Sequence, residues 1–525
     1  MLYMSVCLIG LIVILIFSLC CYSGAFFSIS AFKLLYCRGG LWNSLKVADS
    51  VTLFILLMLG TCFYYVYGYT HHYFGGDVAG FDLNKIIVLF VSVMARLVVT
   101  GDFLTTLIFW EYLGVVRYFL IIFYLSYLSL RASVITLVSS RFGDVCLFFA
   151  IALGVFRGFS GVWWGLLFFF IILTKSASFP FISWLLEAMR APTPVSSLVH
   201  SSTLVAAGVW FRMRYDVISY SRNLYGFFIC LLITIATTGL CCFFFLDLKK
   251  IVALSTCNKI AWCVFYLIYG DLVLSLFQLV RHGVSKCLLF MLVGDVMRGT
   301  IGSQSRNCIY SRPLYGPWGI FRLYSIVLGL SGAPFIGVFF TKHILLSGFS
   351  TVVKLPMLFF MLFCVFLSYF YSFRLCVILR NVKVSLSSGV YYMCGSGVMV
   401  YMWLFLNYFT GTILDEGYIG YSWITFSTLL FQIVSIATAY FLYTRVVGRW
   451  WSSSLFGSDN LVEYFFELFN NLRILLSQFY YRWDKECISL LADTAKFWTV
   501  HRLRKLINLL MSLLVIILII NCILY

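Results

Sequence analysis

The chain has 525 residues, 62% of them hydrophobic and only 11% charged, and its mean hydropathy is +1.00. That excludes a soluble globular domain and marks a polytopic membrane protein. The net charge of +18 does not point to nucleic acid: Lys33, Arg38, Lys46, Arg380, Lys383, Arg445 and Arg449 are spread through short loops, where cations anchor helices to anionic headgroups.

Apolar runs of about 18 residues or more predict about 15 membrane-spanning helices. In chain order they lie near 5–22, 51–70, 84–100, 103–128, 133–156, 161–187, 195–214, 225–246, 249–269, 272–296, 319–340, 356–379, 391–411, 423–444 and 506–524. Continuous runs of this length predict helices rather than the short alternating strands of a barrel. The first run lacks a basic flank and a small-residue cleavage site, so it reads as a retained helix. Between 461 and 499, Phe465, Phe466, Leu468, Leu472, Leu475 and Leu476 alternate with Glu463, Glu467, Arg473, Asp484 and Lys485, the pattern of an amphipathic surface helix.

Ionisable residues inside hydrocarbon are costly and mark charge movement. Glu111 lies at the centre of its run, either as a neutral hydrogen-bonded acid or as the partner of Lys175. In the second case, a carboxylate that moves away leaves a desolvated ammonium that gives up its proton. Arg141 and Asp144 are three apart on one helical face and read as a supporting ion pair. Lys175 is followed by Pro180 and by Ala191-Pro192-Thr193-Pro194, which predicts a broken helix and a polar cavity at the lysine.

His200, among Ser196, Ser197, Ser201, Ser202 and Thr203, reads equally as a satisfied core histidine and as a relay, with the hydroxyls placed to bond its ring nitrogens. Gln278, His282 and Lys286 recur every four residues and form one polar stripe. Lys342 follows Gly332-Ala333-Pro334 in a second proline-interrupted run, with His343 beside it. The two interrupted segments carry their prolines on opposite sides of the lysine, an order suited to an inverted repeat with a boundary near Asp247 to Lys250.

Eighteen cysteines occur without a single Cys-x-x-Cys, and the histidines lack ligand spacing, so neither an iron–sulfur cluster nor a zinc site is expected. No glycine-rich nucleotide fingerprint or P-loop stands before a helix. High Phe (54) and Tyr (34) against 7 Pro is the bias of a thymine-rich organellar coding strand.

Phe109-Trp110-Glu111, Arg141-Phe142-Gly143-Asp144, Lys175-Ser176-Ala177, the run Ala188 to Gly208 containing Ala191-Pro192-Thr193-Pro194-Val195-Ser196-Ser197-Leu198-Val199-His200-Ser201-Ser202-Thr203, and Asp247-Leu248-Lys249-Lys250 through Thr256 resemble the NADH-ubiquinone oxidoreductase chain 5 family. These are the distal antiporter-like subunits of respiratory complex I, here in mitochondrial form. The likeness in motifs covers roughly residues 100 to 345 and implies an all-α protein of about 15–16 spans with two inverted five-helix repeats.

The implied division is 1–100 for N-terminal helices, 101–246 and 247–380 for the repeats, 381–445 for additional helices, 446–505 for a lateral amphipathic helix and 506–525 for a terminal anchor. The resemblance implies proton translocation across the mitochondrial inner membrane, coupled to electron transfer from NADH to ubiquinone. Glu111 becomes the acidic partner of Lys175, His200, His282 and Lys286 lie on the central axis, Lys342 stands at the exit, and Arg141 with Asp144 support. The chain itself would carry no cofactor; NADH, FMN, iron–sulfur clusters and ubiquinone would belong to partner subunits, and the partners would be other complex I membrane subunits and the bilayer. Two positions depart from the family: Gln278 stands where a histidine is usual, and His343 where an acid usually follows the lysine. A stand-alone or Mrp-like cation/proton antiporter is the alternative; a polytopic enzyme would leave the central charges unexplained.

Overall fold

Helices dominate because a backbone buried in apolar surroundings must satisfy its own hydrogen bonds. The computed structural model describes residues 32–38, 43–155, 161–215, 225–298, 304, 316–332, 338–352, 355–380, 400, 403–405, 407–408, 422–442, 455, 458–493 and 508–513. A short antiparallel hairpin comes first, β1 (Phe32–Arg38) on β2 (Asn43–Ala48), with Phe32 opposite Ala48 and Arg38 opposite Asn43. Sequence placed Lys33, Arg38 and Lys46 in loops. The hairpin holds them instead, and Lys46 bridges to Thr100.

The helices that follow are α1 (Ser50–Phe74), α2 (Val78–Val99), α3 (Phe103–Ile122) and α4 (Tyr127–Val155). Then come α5 (Gly161–Ser176), the short α6 (Ser183–Glu187), α7 (Thr193–Leu198) and α8 (Leu204–Arg214). After α9 (Tyr225–Phe244), α10 (Leu248–Tyr269) and α11 (Leu272–Arg298) lie α12 (Gly316–Ser331), α13 (Phe339–Val352), α14 (Leu355–Arg380) and α15 (Ser422–Phe441). Asp49, Asp77, Asp102 and Asp247 stand at the N-caps of α1, α2, α3 and α10, where negative charge meets the positive end of the helix dipole.

Among the described residues, 8 helices are long and apolar enough to cross a membrane, so the chain is an all-α polytopic membrane protein apart from the hairpin. Three of the expected spans are broken: two at the proline-interrupted segments by Lys175 and Lys342, as their sequence predicts, and a third, 195–214, that was expected to be continuous. The run 161–187 becomes α5 and α6, 195–214 becomes α7, a π-helical turn and α8, and 319–340 is split between α12 and α13. The expected span 5–22 and most of 391–411 and 506–524 fall outside the described residues.

Burial separates two kinds of helix. The hydrophobic windows of α10 and α11 are buried all round, as expected of helices enclosed by others. α4 instead exposes Phe142, Phe148 and Phe149, each more than half accessible, as suits a lipid-facing side. α10 packs on α9 and α11, and α11 also packs on α1, α7 and the π turn.

Residues from Asn460 onward form a second compact unit. Within it most of α16 (Ser458–Asp493) runs as one helix of 36 residues, about 54 Å at 1.5 Å per residue. Its Tyr464, Phe466 and Phe469 are largely exposed.

Candidate functional site

The polar groups lie where helices break. Past Ser176 the chain turns through Ala177 at φ 55°. Ser178 N–H donates to Leu173 O at 3.0 Å and Phe181 N–H to Ser178 O at 2.7 Å before α6 begins. Lys175 is thus one residue short of the end of α5, and it is fully buried. Gly208 on α8 allows this arrangement. A Cβ there would meet Ile172 O and Ser176 N at 3.2 Å and Lys175 Cβ at 3.5 Å.

Four charges form a row across three helices. Arg141 on α4 ion-pairs with Glu111 on α3 and lies 3.5 Å from Asp144 Oδ2. Asp144 Oδ1 lies 3.7 Å from Lys175 Nζ, which also sits 4.8 Å from the Trp110 ring centroid. Glu111 and Arg141 are partly accessible, whereas the Asp144 side chain is 5% and that of Lys175 1% exposed. The expected direct Glu111–Lys175 pair is therefore replaced by a row in which Asp144 is the carboxylate facing the lysine. Arg117 lies buried behind it, donating to Thr136 O and placed 5.0 Å from the Trp184 ring.

His200 occupies the π-helical turn Val199–Thr203, a distortion that often accompanies function. The neighbouring hydroxyls do not bond its ring. Ser201 donates to Ser197 O, Ser202 to Leu198 O at 3.4 Å and Thr203 to Leu198 O at 3.1 Å, the back-bonding open to Ser and Thr in helices. His200 is buried beside Trp184, with Arg117 and Lys249 as its charged neighbours and the backbone of Ala188 beside it.

The stripe on α11 is buried throughout. Lys286 Nζ donates to Ser255 Oγ and lies 3.5 Å from Val252 O, both on α10. His282 has Lys286 and Lys259 as charged neighbours. Gln278 Oε1 accepts from Thr341 Oγ1 at 3.1 Å, tying the stripe to α13 one residue before Lys342.

Lys342 Nζ donates to Ser331 O and to Ser368 Oγ, both at 2.7 Å, and sits 3.9 Å from the Tyr369 ring centroid. The break before it turns through Gly332 at φ 88°, where a Cβ would meet Phe339 N at 3.2 Å; Pro334 lies outside the described residues. His343 points elsewhere and stacks on Phe339, 5.8 Å between centroids.

Two buried lysines on α10 were not singled out from sequence. Lys249 donates to Ala191 O at 3.3 Å, and Lys259 neighbours His282, Lys286 and Lys342. Lys259 sits in an apolar run, the signal that marks Lys175, whereas Lys249 stands at the head of its helix beside Lys250. Lys249, Thr256 and Lys259 share one helical face, so α10 carries polar groups over about 15 Å between the His200 region and Lys342. Arg281 and Asp295, buried on α11, were missed too.

Ionisable groups thus gather at the breaks and on α10, buried at Asp144, Lys175, His200, Lys249, Lys259, His282, Lys286 and Lys342, with Glu111 partly accessible. Among the described residues no group of three or more His, Cys, Asp or Glu side chains could hold a metal ion.

The family described as NADH:quinone oxidoreductase/Mrp antiporter, TM, matches residues 100–370. NADH-ubiquinone oxidoreductase chain 5 of Aedes aegypti is 34% identical over 357 residues, 64% of this chain and 59% of that protein. The protein of the same name from Locusta migratoria is 34% identical over 346 residues, 61% of this chain and 58% of that one. The chain thus spans less than two thirds of the length of these curated relatives. Among solved structures, the Mrp complex of Dietzia sp. DQ12-45-1b shares the fold with a TM-score of 0.67 at 19% identity, over 87% of this chain and 56% of that one. An archaeal membrane-bound sulfane sulfur reductase does so with a TM-score of 0.63 at 15% identity, over 83% and 93%. The match over residues 100–370, more than half of the 525, encloses every polar group from Glu111 to Tyr369: the chain belongs to the NADH:quinone oxidoreductase/Mrp antiporter transmembrane family.

Proposed function

We propose that this chain is a proton-translocating membrane subunit of respiratory complex I in the mitochondrial inner membrane. Electron transfer from NADH to ubiquinone takes place on partner subunits, which hold the FMN and iron–sulfur clusters. The observation that carries the reading is the buried Asp144–Lys175 pair at 3.7 Å, joined to the outer pair Glu111–Arg141.

Arg141 reaches both carboxylates, so a shift of Arg141 towards Glu111 leaves Asp144 to neutralise the Lys175 ammonium. A shift back towards Asp144 withdraws that charge, and the lysine proton leaves towards His200, Lys249 and Lys286. Lys286, His282 and Lys342 carry it onward. Gln278 does not ionise; through Thr341 it holds the stripe against α13. His343, turned onto Phe339, takes no part in this path. The two broken helices, at Lys175 and before Lys342, suit the paired sites of an inverted repeat, and α16 suits a lateral helix.

The second reading, an Mrp-like cation/proton antiporter subunit, draws on the same fold and would use the same charges. The names of the curated relatives and the long α16 favour complex I. Blue-native separation of mitochondrial membranes decides between them: the chain co-migrates with NADH dehydrogenase activity in a large complex if the proposal holds, and runs apart from that activity if it does not.

A further inference from the structure

Among the described residues, Lys249, Lys286 and Lys342 each find an oxygen acceptor: Ala191 O, Ser255 Oγ, and Ser331 O with Ser368 Oγ. Lys259 does not. Its side chain is buried, and its Nζ has no hydrogen-bonding oxygen among the described residues. The titratable groups that face it are Cys263 on its own helix, His282 and Lys286 on α11, and Lys342 on α13. None is a carboxylate.

An ammonium buried without acceptor or counter-ion is strongly disfavoured, and a second ammonium beside it makes matters worse. Two such lysines resolve the conflict by holding one proton between them. Lys342, with two oxygen acceptors and the Tyr369 ring face, is built to hold the charged form. Lys259, with neither, is built to be the neutral amine that accepts.

We propose that Lys259 and Lys342 share a single proton and form a two-lysine junction through which protons pass between the His282–Lys286 stripe and the end of the row at Ser331 and Ser368. Once Lys342 has passed its proton on at the Ser331 and Ser368 end, the neutral Lys259 amine uses its lone pair to form an N–H bond as the N–H bond of Lys286 or protonated His282 breaks. It then returns to the amine as a neutral Lys342 takes the proton; the reverse order balances equally. The junction rests on the proton-translocating reading above, and it gives Lys259 a proton-carrying role.

The test uses the intact complex carrying the full chain, reconstituted in vesicles, with protons moved per NADH oxidised as the readout. Lys259→Met and Lys259→Gln remove the accepting amine, and each is expected to lower the ratio at least threefold and to change its pH profile. Lys259→Arg keeps a cation that does not release its proton, and it is expected to lower the ratio as well. Wild-type ratio and pH profile in Lys259→Met or Lys259→Gln overturn the junction. So does a wild-type ratio in Lys259→Arg, and so does assembly of Lys259→Arg alone, since either would leave Lys259 a structural cation. Lys175→Met separates the two levels. If it lowers the ratio while the Lys259 variants do not, the junction fails and the translocating reading stands; if neither site lowers it, the translocating reading fails.

Discussion

Asp144 meets Lys175 at 3.7 Å across α4 and α5, and it reaches Arg141 on its other oxygen at 3.5 Å. The buried lysine therefore answers to Asp144, and Glu111 acts on it through Arg141. This order ranks the acidic residues.

Asp144→Asn should cost more than Glu111→Gln. Removing the buried partner of a buried charge costs about 3–5 kcal/mol, whereas Glu111 keeps partial access to solvent. The expected outcome is a loss of proton pumping of tenfold or more in Asp144→Asn and a few-fold in Glu111→Gln, measured in vesicles at matched complex content. Equal losses would show that Glu111 acts on Lys175 as directly as Asp144 does.

Because Arg141 joins both carboxylates, the double variant Glu111→Gln with Asp144→Asn should be little worse than Asp144→Asn alone. Contacting residues are non-additive and independent ones add. Losses that multiply in the pumping assay would break the row into two unrelated pairs.

Gln278→His should pump within a few-fold of wild type, since the position calls for a polar group facing Thr341 at 3.1 Å. Gln278→Leu removes that acceptor and the stripe's link to α13, at about 1–3 kcal/mol for a buried polar group left unpaired. Reconstituted vesicles report both; full pumping by the leucine variant would remove Gln278 from the path.

Gly208→Ala places a methyl 3.2 Å from Ile172 O and Ser176 N, backbone atoms that have little room to yield. Overpacking of this kind costs about 1–3 kcal/mol, and here it pushes α8 away from the turn after Lys175. Thermal melting of the purified complex should show destabilisation with lowered pumping. An unchanged melt and unchanged pumping would show that the approach of α8 to α5 is not needed.

Much of this arrangement was readable in the chain. Pro180 and the Ala191-Pro192-Thr193-Pro194 run announced the break at Lys175, because proline withholds a backbone donor. The four-residue spacing placed Gln278, His282 and Lys286 on one face, and amphipathic composition over 461–499 found a helix that runs over Ser458–Asp493. Partners across helices were hidden. Arg141 and Asp144, three apart, looked self-sufficient, and nothing local says that Asp144 points on to Lys175. The π turn at His200 has no composition of its own, and its serines looked like partners for the ring until their back-bonding to carbonyls was seen. Lys259 sits in an unbroken helix, without the proline that drew attention to Lys175 and Lys342.

The central claim is that protons pass through the Asp144–Lys175 pair. The direct measurement is protons moved per NADH oxidised by the reconstituted complex carrying Lys175→Met, which replaces the ammonium with an apolar side chain of similar length. The account predicts an assembled complex whose ratio is markedly below wild type. An assembled complex that pumps at the wild-type ratio would contradict it.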